Sequence, residues 1–188
     1  MRRWTGKRAA VFTLAGMLAA GGAAAPAVTV DAAKSSLEKS AEKLVKKVVK
    51  KEKNQKKQLK KLFQYVEKTY GYARVMGFTG KKGWEKAYAA EMIKNKKGSC
   101  YHFAAVYAFL AKKATGLPVR ICTGTTNGFN VSRWQPHAWC EVKVGKIWYV
   151  CDTNLDKFGA KSTGKYFMKN VKTMKKTFKK SKTINVKF

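Results

Sequence analysis

A chain of 188 residues with 45% hydrophobic and 12% aromatic residues is long enough for one cored domain plus extensions. Its net charge of +31 is almost wholly lysine, 35 Lys against 6 Arg, and lysine is a mobile point charge, not the planar fork that reads bases or grips phosphate. That surface attracts polyanions broadly and in a salt-sensitive way, which argues against specific nucleic-acid recognition and leaves anionic cell-wall polymer or a membrane surface as candidate partners.

Residues 1–32 open with Arg2, Arg3, Lys7 and Arg8, followed by an uncharged run from 9 to 30 centred on Val11, Phe12, Leu14, Met17 and Leu18. A basic head, a short apolar middle and small residues before Ala32 describe a secretory signal peptide, and they predict a secreted or cell-surface protein. Residues 33–58 are lysine-rich, with Leu37, Ala41, Leu44, Val45 and Val48 at helical spacing; they read as a basic helical or flexible extension. Leu59, Leu62, Phe63 and Val66 resume the stripe, so the core is expected over 59–170. Glycines 71, 77, 80 and 83 divide the next section into turns, and a short helix is expected over 85–94.

The clearest helix covers 100–114. Ser99 is a good N-cap, Phe103, Val106, Tyr107, Leu110 and Ala114 form its apolar stripe, and Gly116 with Pro118 stops it. A strand over 119–123 and a polar loop over 124–136 follow. Residues 138–144 and 147–151 alternate about Gly145-Lys146, the pattern of a two-residue hairpin. The basic segment 171–188 ends in Ile184, Val186 and Phe188, alternating as a terminal strand would.

Three residues on these elements carry chemistry. Cys100 stands on the first turn of its helix, where amide donors and the positive end of the dipole favour a thiolate; the alternative is a small core residue. If Val144 faces Ile147, then His137 faces Asn154 and has Asp152 as its diagonal neighbour on the same face, roughly 7–8 Å away at Cα. Asp152 can then orient one ring nitrogen and leave the other for the thiol. A three-residue turn would move Asp152 to the opposite face. The same register sets Cys140 opposite Cys151, within disulfide range and on the other face, the alternative being two buried thiols; Cys122 is left as core. His102, about 200° around the helix from Cys100, reads as a surface or packing residue. Two histidines, no Cys-x-x-Cys pair and few carboxylates assemble no metal site, and no cofactor is expected.

The motifs Gly98-x-Cys100-x-x-Phe103-Ala104, Gly116-Leu-Pro-Val-Arg120, His137-Ala-Trp-x-Glu-Val142 and Trp148-Tyr-Val-x-Asp152-Thr153 resemble, in that order, the transglutaminase-like superfamily. The resemblance covers about residues 98–154 and departs from the family at Thr153, where a proline is usual. It implies an α+β papain-like core, with a nucleophile-bearing helix packed on an antiparallel sheet. It also implies acyl transfer through a thioester, by hydrolysis or transamidation of a protein or peptide substrate. By that resemblance Cys100 is the nucleophile, His137 the general base and acid, and Asp152 the orienter. The backbone amide of Cys100, Trp84 and Trp139 are candidates for the oxyanion donors or the cleft, Trp84 being equally a core aromatic. A monomer is expected, and the alternative function is that of a non-catalytic polyanion- or cell-wall-binding surface protein on the same fold.

Overall fold

The computed structural model describes residues 30–130, 132–159 and 164–188, with side chains described from residue 36 onward. The expected leader lies outside the described residues except at 30–32, which begin a helix. Among the described residues three helices precede the thiol: α1 (Val30–Val49), α2 (Gln55–Thr69) and α3 (Trp84–Asn95). The short strands β1 (Gly71–Tyr72) and β2 (Lys97–Gly98) pair in parallel on either side of α3.

The fourth helix, α4 (Cys100–Thr115), is buried from Phe103 through Ala111. A helix that is apolar all round must be covered on every side. Here α1, α2 and α3 pack around it, and a sheet covers the remaining face. This requirement explains one departure from expectation. Leu37, Ala41 and Val49 of α1 are buried in the same core as Leu59 and Phe63. The core therefore begins in α1 and not at residue 59. Lys113 of α4 bonds Glu38 of α1 at 2.8 Å, which ties the two helices at their solvent edge.

The sheet comprises β3 (Val119–Thr126), β4 (Gln135–Val144), β5 (Ile147–Cys151), β6 (Lys169–Asn170) and β7 (Phe178–Asn185), antiparallel throughout in the order β6-β5-β4-β3-β7. The terminal strand β7 lies earlier than expected: of Ile184, Val186 and Phe188 it includes only Ile184, and it forms a lysine-rich edge; charged side chains on an edge discourage further strand pairing. At the hairpin Val144 faces Ile147 and Cys140 faces Cys151, the register of a two-residue loop. Gly145 has φ 57° and Lys146 does not share that region, as when glycine takes the first central position of a type II′ turn. One face of β4 (Ala138, Cys140, Val142) packs toward α4. The other, with Trp139, meets Cys122, Leu155, Tyr166 and Phe178 in a second core.

One element goes beyond the expected pattern. Directly after β5 the chain forms α5 (Thr153–Phe158), with Asp152 as its N-cap. The fold is α+β, with five α-helices and a five-stranded antiparallel sheet among the described residues. Among the described residues no helix is long and apolar enough to cross a membrane.

Candidate active site

The thiol comes to its place through a tightly built helix start. Ser99 is extended and caps α4; its N–H donates to Nδ1 of His102 at 3.2 Å, and its Oγ lies 3.1 Å from the same nitrogen. Because Nδ1 accepts, Nε2 carries the proton and donates to Glu91 Oε2 at 3.1 Å. The imidazole also stacks on Tyr88, ring centroids 4.1 Å apart. His102 is therefore a buried packing and capping residue that joins α3 to the start of α4. A Cβ on Gly98 would lie 2.5 Å from this ring, so the glycine is required by close approach.

His137 stands near the start of β4 and Asp152 at the end of β5, on one face as the even loop demands. His137 Nε2 and Asp152 Oδ2 are 2.6 Å apart, with both side chains at most 2% exposed. The other carboxylate oxygen of Asp152 accepts from the N–H of Leu155 at 2.9 Å. One aspartate thus caps α5 and holds the imidazole, and the cap removes its freedom to turn away. Burial pulls the His137 pKa down, but the charge and hydrogen bond of Asp152, with a further hydrogen bond from Cys100, raise it from 6.5 to about 10. Since Nε2 is committed to Asp152, Nδ1 is the nitrogen turned toward Cys100.

Cys100 and His137 line one cleft of about 500 Å³. Its walls are Tyr72 from β1, Phe129 and Pro136 from the β3–β4 connection and the start of β4, and Phe158 from α5. Gln135 and Asn154 add polar side chains. The segment 124–136, read from the sequence as a polar loop, contributes Phe129, Gln135 and Pro136 to it. The aromatic walls from β1 and α5 were not legible in the sequence. Asp152-Thr153-Asn154-Leu155, an N-cap followed by helical residues, was the signal that could have revealed α5.

Neither tryptophan candidate lies in this cleft. Trp139 is buried, and its Nε1–H donates to Glu141 Oε1 at 3.0 Å. Glu141 is in turn held by Arg120 Nε at 2.6 Å and Lys180 Nζ at 3.0 Å. Burial would raise the Glu141 pKa, but Trp139, Lys180 and Arg120 together hold it below the usual carboxylate value. With its donor committed to that buried carboxylate, Trp139 has none to offer a reacting oxygen. Trp84 lies edge-on to Phe78, Tyr88 and Tyr101 and lines a separate depression against β7. It is the core aromatic of the two readings.

Cys140 and Cys151 face each other as expected, yet all four cysteines are free thiols. The S–H of Cys151 is directed at Met168 Sδ, 3.7 Å away, and not at Cys140. Burial between α4 and the sheet raises both thiols, Cys151 to about 12, which suppresses the thiolate that disulfide exchange needs. Of the two readings for this pair, the possible disulfide and two buried thiols, the structure has the two buried thiols, and Cys122 is likewise core.

The sequence profile of the transglutaminase-like superfamily matches residues 42–153, a span that takes in Cys100, His137 and Asp152. No curated protein matches the chain. Among solved structures, a candidate cysteine protease from Cytophaga hutchinsonii is similar with a TM-score of 0.51 and 16% identity, over 79% of this chain and 50% of its own. A TGase is similar with a TM-score of 0.51 and 21% identity, over 75% of this chain and 37% of its own. This chain spans half or less of those structures, and at such identities the likeness is one of fold.

Proposed function

This chain belongs to the transglutaminase-like superfamily, and on that premise we propose that it is an exported thiol enzyme transferring acyl groups from peptide or amide bonds through a thioester on Cys100. The observation that carries this reading is the 2.6 Å contact of His137 Nε2 with buried Asp152, which leaves the second ring nitrogen to the thiol.

In the first half-reaction Cys100 Sγ attacks the amide carbonyl carbon, having given its proton to His137 Nδ1. The resulting oxyanion is met by the backbone N–H of Cys100 on the first turn of α4, where the helix dipole favours negative charge. As the C–N bond breaks, His137 returns the proton to the departing amine, and a thioester remains. In the second, water or an amine attacks the thioester and His137 takes its proton. Sγ then leaves as thiolate, giving acid or a new amide. Throughout, Asp152 keeps the imidazole in the required tautomer and stabilises the imidazolium.

Export follows from the leader-like residues 1–32, and the lysine surface would hold the enzyme at anionic wall polymer or membrane. Thiol labelling with iodoacetamide at neutral pH tests the catalytic reading: Cys100 should label fast, and the advantage should vanish in His137→Ala. Labelling of Cys100 no faster than an ordinary thiol refutes it and favours the polyanion-binding alternative. Mass spectrometry of a peptide mixture incubated with wild type and with Cys100→Ala then separates new cleavage ends from new cross-links.

A further inference from the structure

The cleft around Cys100 has an unusual wall for so basic a protein: among the described residues, none of its lining side chains is lysine, arginine or a carboxylate. Tyr72 and Phe158 meet edge to face with centroids 5.9 Å apart, yet remain 49% and 43% exposed. They are large apolar side chains held against each other and left uncovered beside a buried thiol. Phe129 closes another part of the cleft, packed edge-on against the His137 ring at 5.4 Å, and Pro136 adds a further apolar surface. Two cationic residues stand by these rings. Arg74 is exposed and its field acts on Tyr72, while Lys157 Nζ lies 5.1 Å from the Phe158 ring centre and donates to the carbonyl of Tyr70 at 2.8 Å.

We propose that Tyr72, Phe129, Pro136 and Phe158 form a specificity slot for a large apolar, preferably aromatic, side chain on the residue whose carbonyl becomes the thioester. This inference rests on the acyl-transfer reading above and names its substrate class. Cys100 and His137 belong to the same lining, so the side chain of the acylated residue itself is the one within reach. Burying that side chain removes apolar surface from water on both partners, and aromatic edges and faces are already presented for it. A basic side chain gains nothing from an uncharged slot and is repelled by Arg74 and Lys157 at its rim.

The test uses the full chain with p-nitrophenyl esters of N-benzyloxycarbonyl-phenylalanine, -glycine and -lysine, counting only the p-nitrophenol release that Cys100→Ala abolishes. This subtraction removes ester aminolysis by the many surface lysines. The expected result is a kcat/KM for the phenylalanine ester on the order of tenfold above that for glycine, the factor that partial burial of a phenyl ring supplies, with the lysine ester no faster than glycine. In Tyr72→Ala and Phe158→Ala, both changes at exposed positions, the phenylalanine-to-glycine ratio should fall toward one. Cys100-dependent turnover at equal rates for phenylalanine and glycine, or a ratio untouched by both substitutions, overturns the slot and leaves the enzyme reading standing. Absence of Cys100-dependent turnover with all three esters overturns the enzyme reading, and the slot with it.

Discussion

Replacing Asp152 by asparagine isolates what the carboxylate does for His137. The substitution keeps size and shape, and the asparagine side-chain oxygen can still accept from the N–H of Leu155, so the cap of α5 survives. Its amide nitrogen, however, is a donor. Turned toward His137 Nε2, it selects the tautomer with the proton on Nδ1, the nitrogen that must receive the proton of Cys100. The perturbed bond is 2.6 Å long between side chains 1% and 2% exposed, and a buried hydrogen bond to a charged group is worth about 1.5–3 kcal/mol. Expressed as a barrier, that is roughly a 10- to 150-fold loss in the rate at which iodoacetamide labels Cys100 at pH 7. The assay is time-resolved mass spectrometry of the labelled protein. The pH dependence has a definite sign as well. His137 is raised from 6.5 to about 10, so its contribution to stability is complete below about pH 6.5 and is lost as pH rises through about 10. The melting-temperature advantage of wild type over Asp152→Asn should therefore be full at pH 6 and shrink toward pH 10. Labelling of Asp152→Asn at the wild-type rate, with an unchanged pH profile, would refute the assigned role.

Three further outcomes are expected. Glu67 is half-buried beside Asp156, and burial with the Asp156 hydrogen bond and charge raises its pKa from 4.5 to about 8; the favourable contribution is present below about pH 4.5 and lost as pH rises through about 8, so Glu67→Gln should gain in melting temperature over wild type between those limits. Gly98→Ala places a methyl 2.5 Å from the His102 ring, which Tyr88, Ser99 and Glu91 hold on three sides; overpacking of this kind costs about 1–3 kcal/mol, read as a lowered urea midpoint. Trp139→Phe keeps the ring but withdraws the indole donor from buried Glu141, and should destabilise the chain by about 1–2 kcal/mol in the same measurement.

The α4 helix and the hairpin were legible because their signals are local. Ser99 and Gly116 bracket an apolar helical stripe, and Gly145-Lys146 interrupts a two-residue period, so the start of α4 and the pairing of Cys140 with Cys151 follow from neighbouring residues. What those pairings led to was less legible. Facing cysteines did not imply a bond: both thiols are buried, which raises their pKa values, and the Cys151 S–H is directed toward Met168, seventeen residues away in sequence. The indole of Trp139 looked available until Glu141, Arg120 and Lys180 were brought together from three strands.

Sequence alone located the candidate residues, since Cys100, His137 and Asp152 each lie at or near an element boundary that short-range rules place. Tertiary structure alone decided their surroundings. α1 is core because α4 is apolar on every side and needs cover. Asp152 is fixed because the chain turns into α5 immediately after it. The cleft is aromatic because β1, the β3–β4 connection and α5 converge on the thiol from positions as far apart as Tyr72 and Phe158. Periodicity and capping act over a few residues, whereas a cavity is the space left between elements, and its walls are set only when those elements pack.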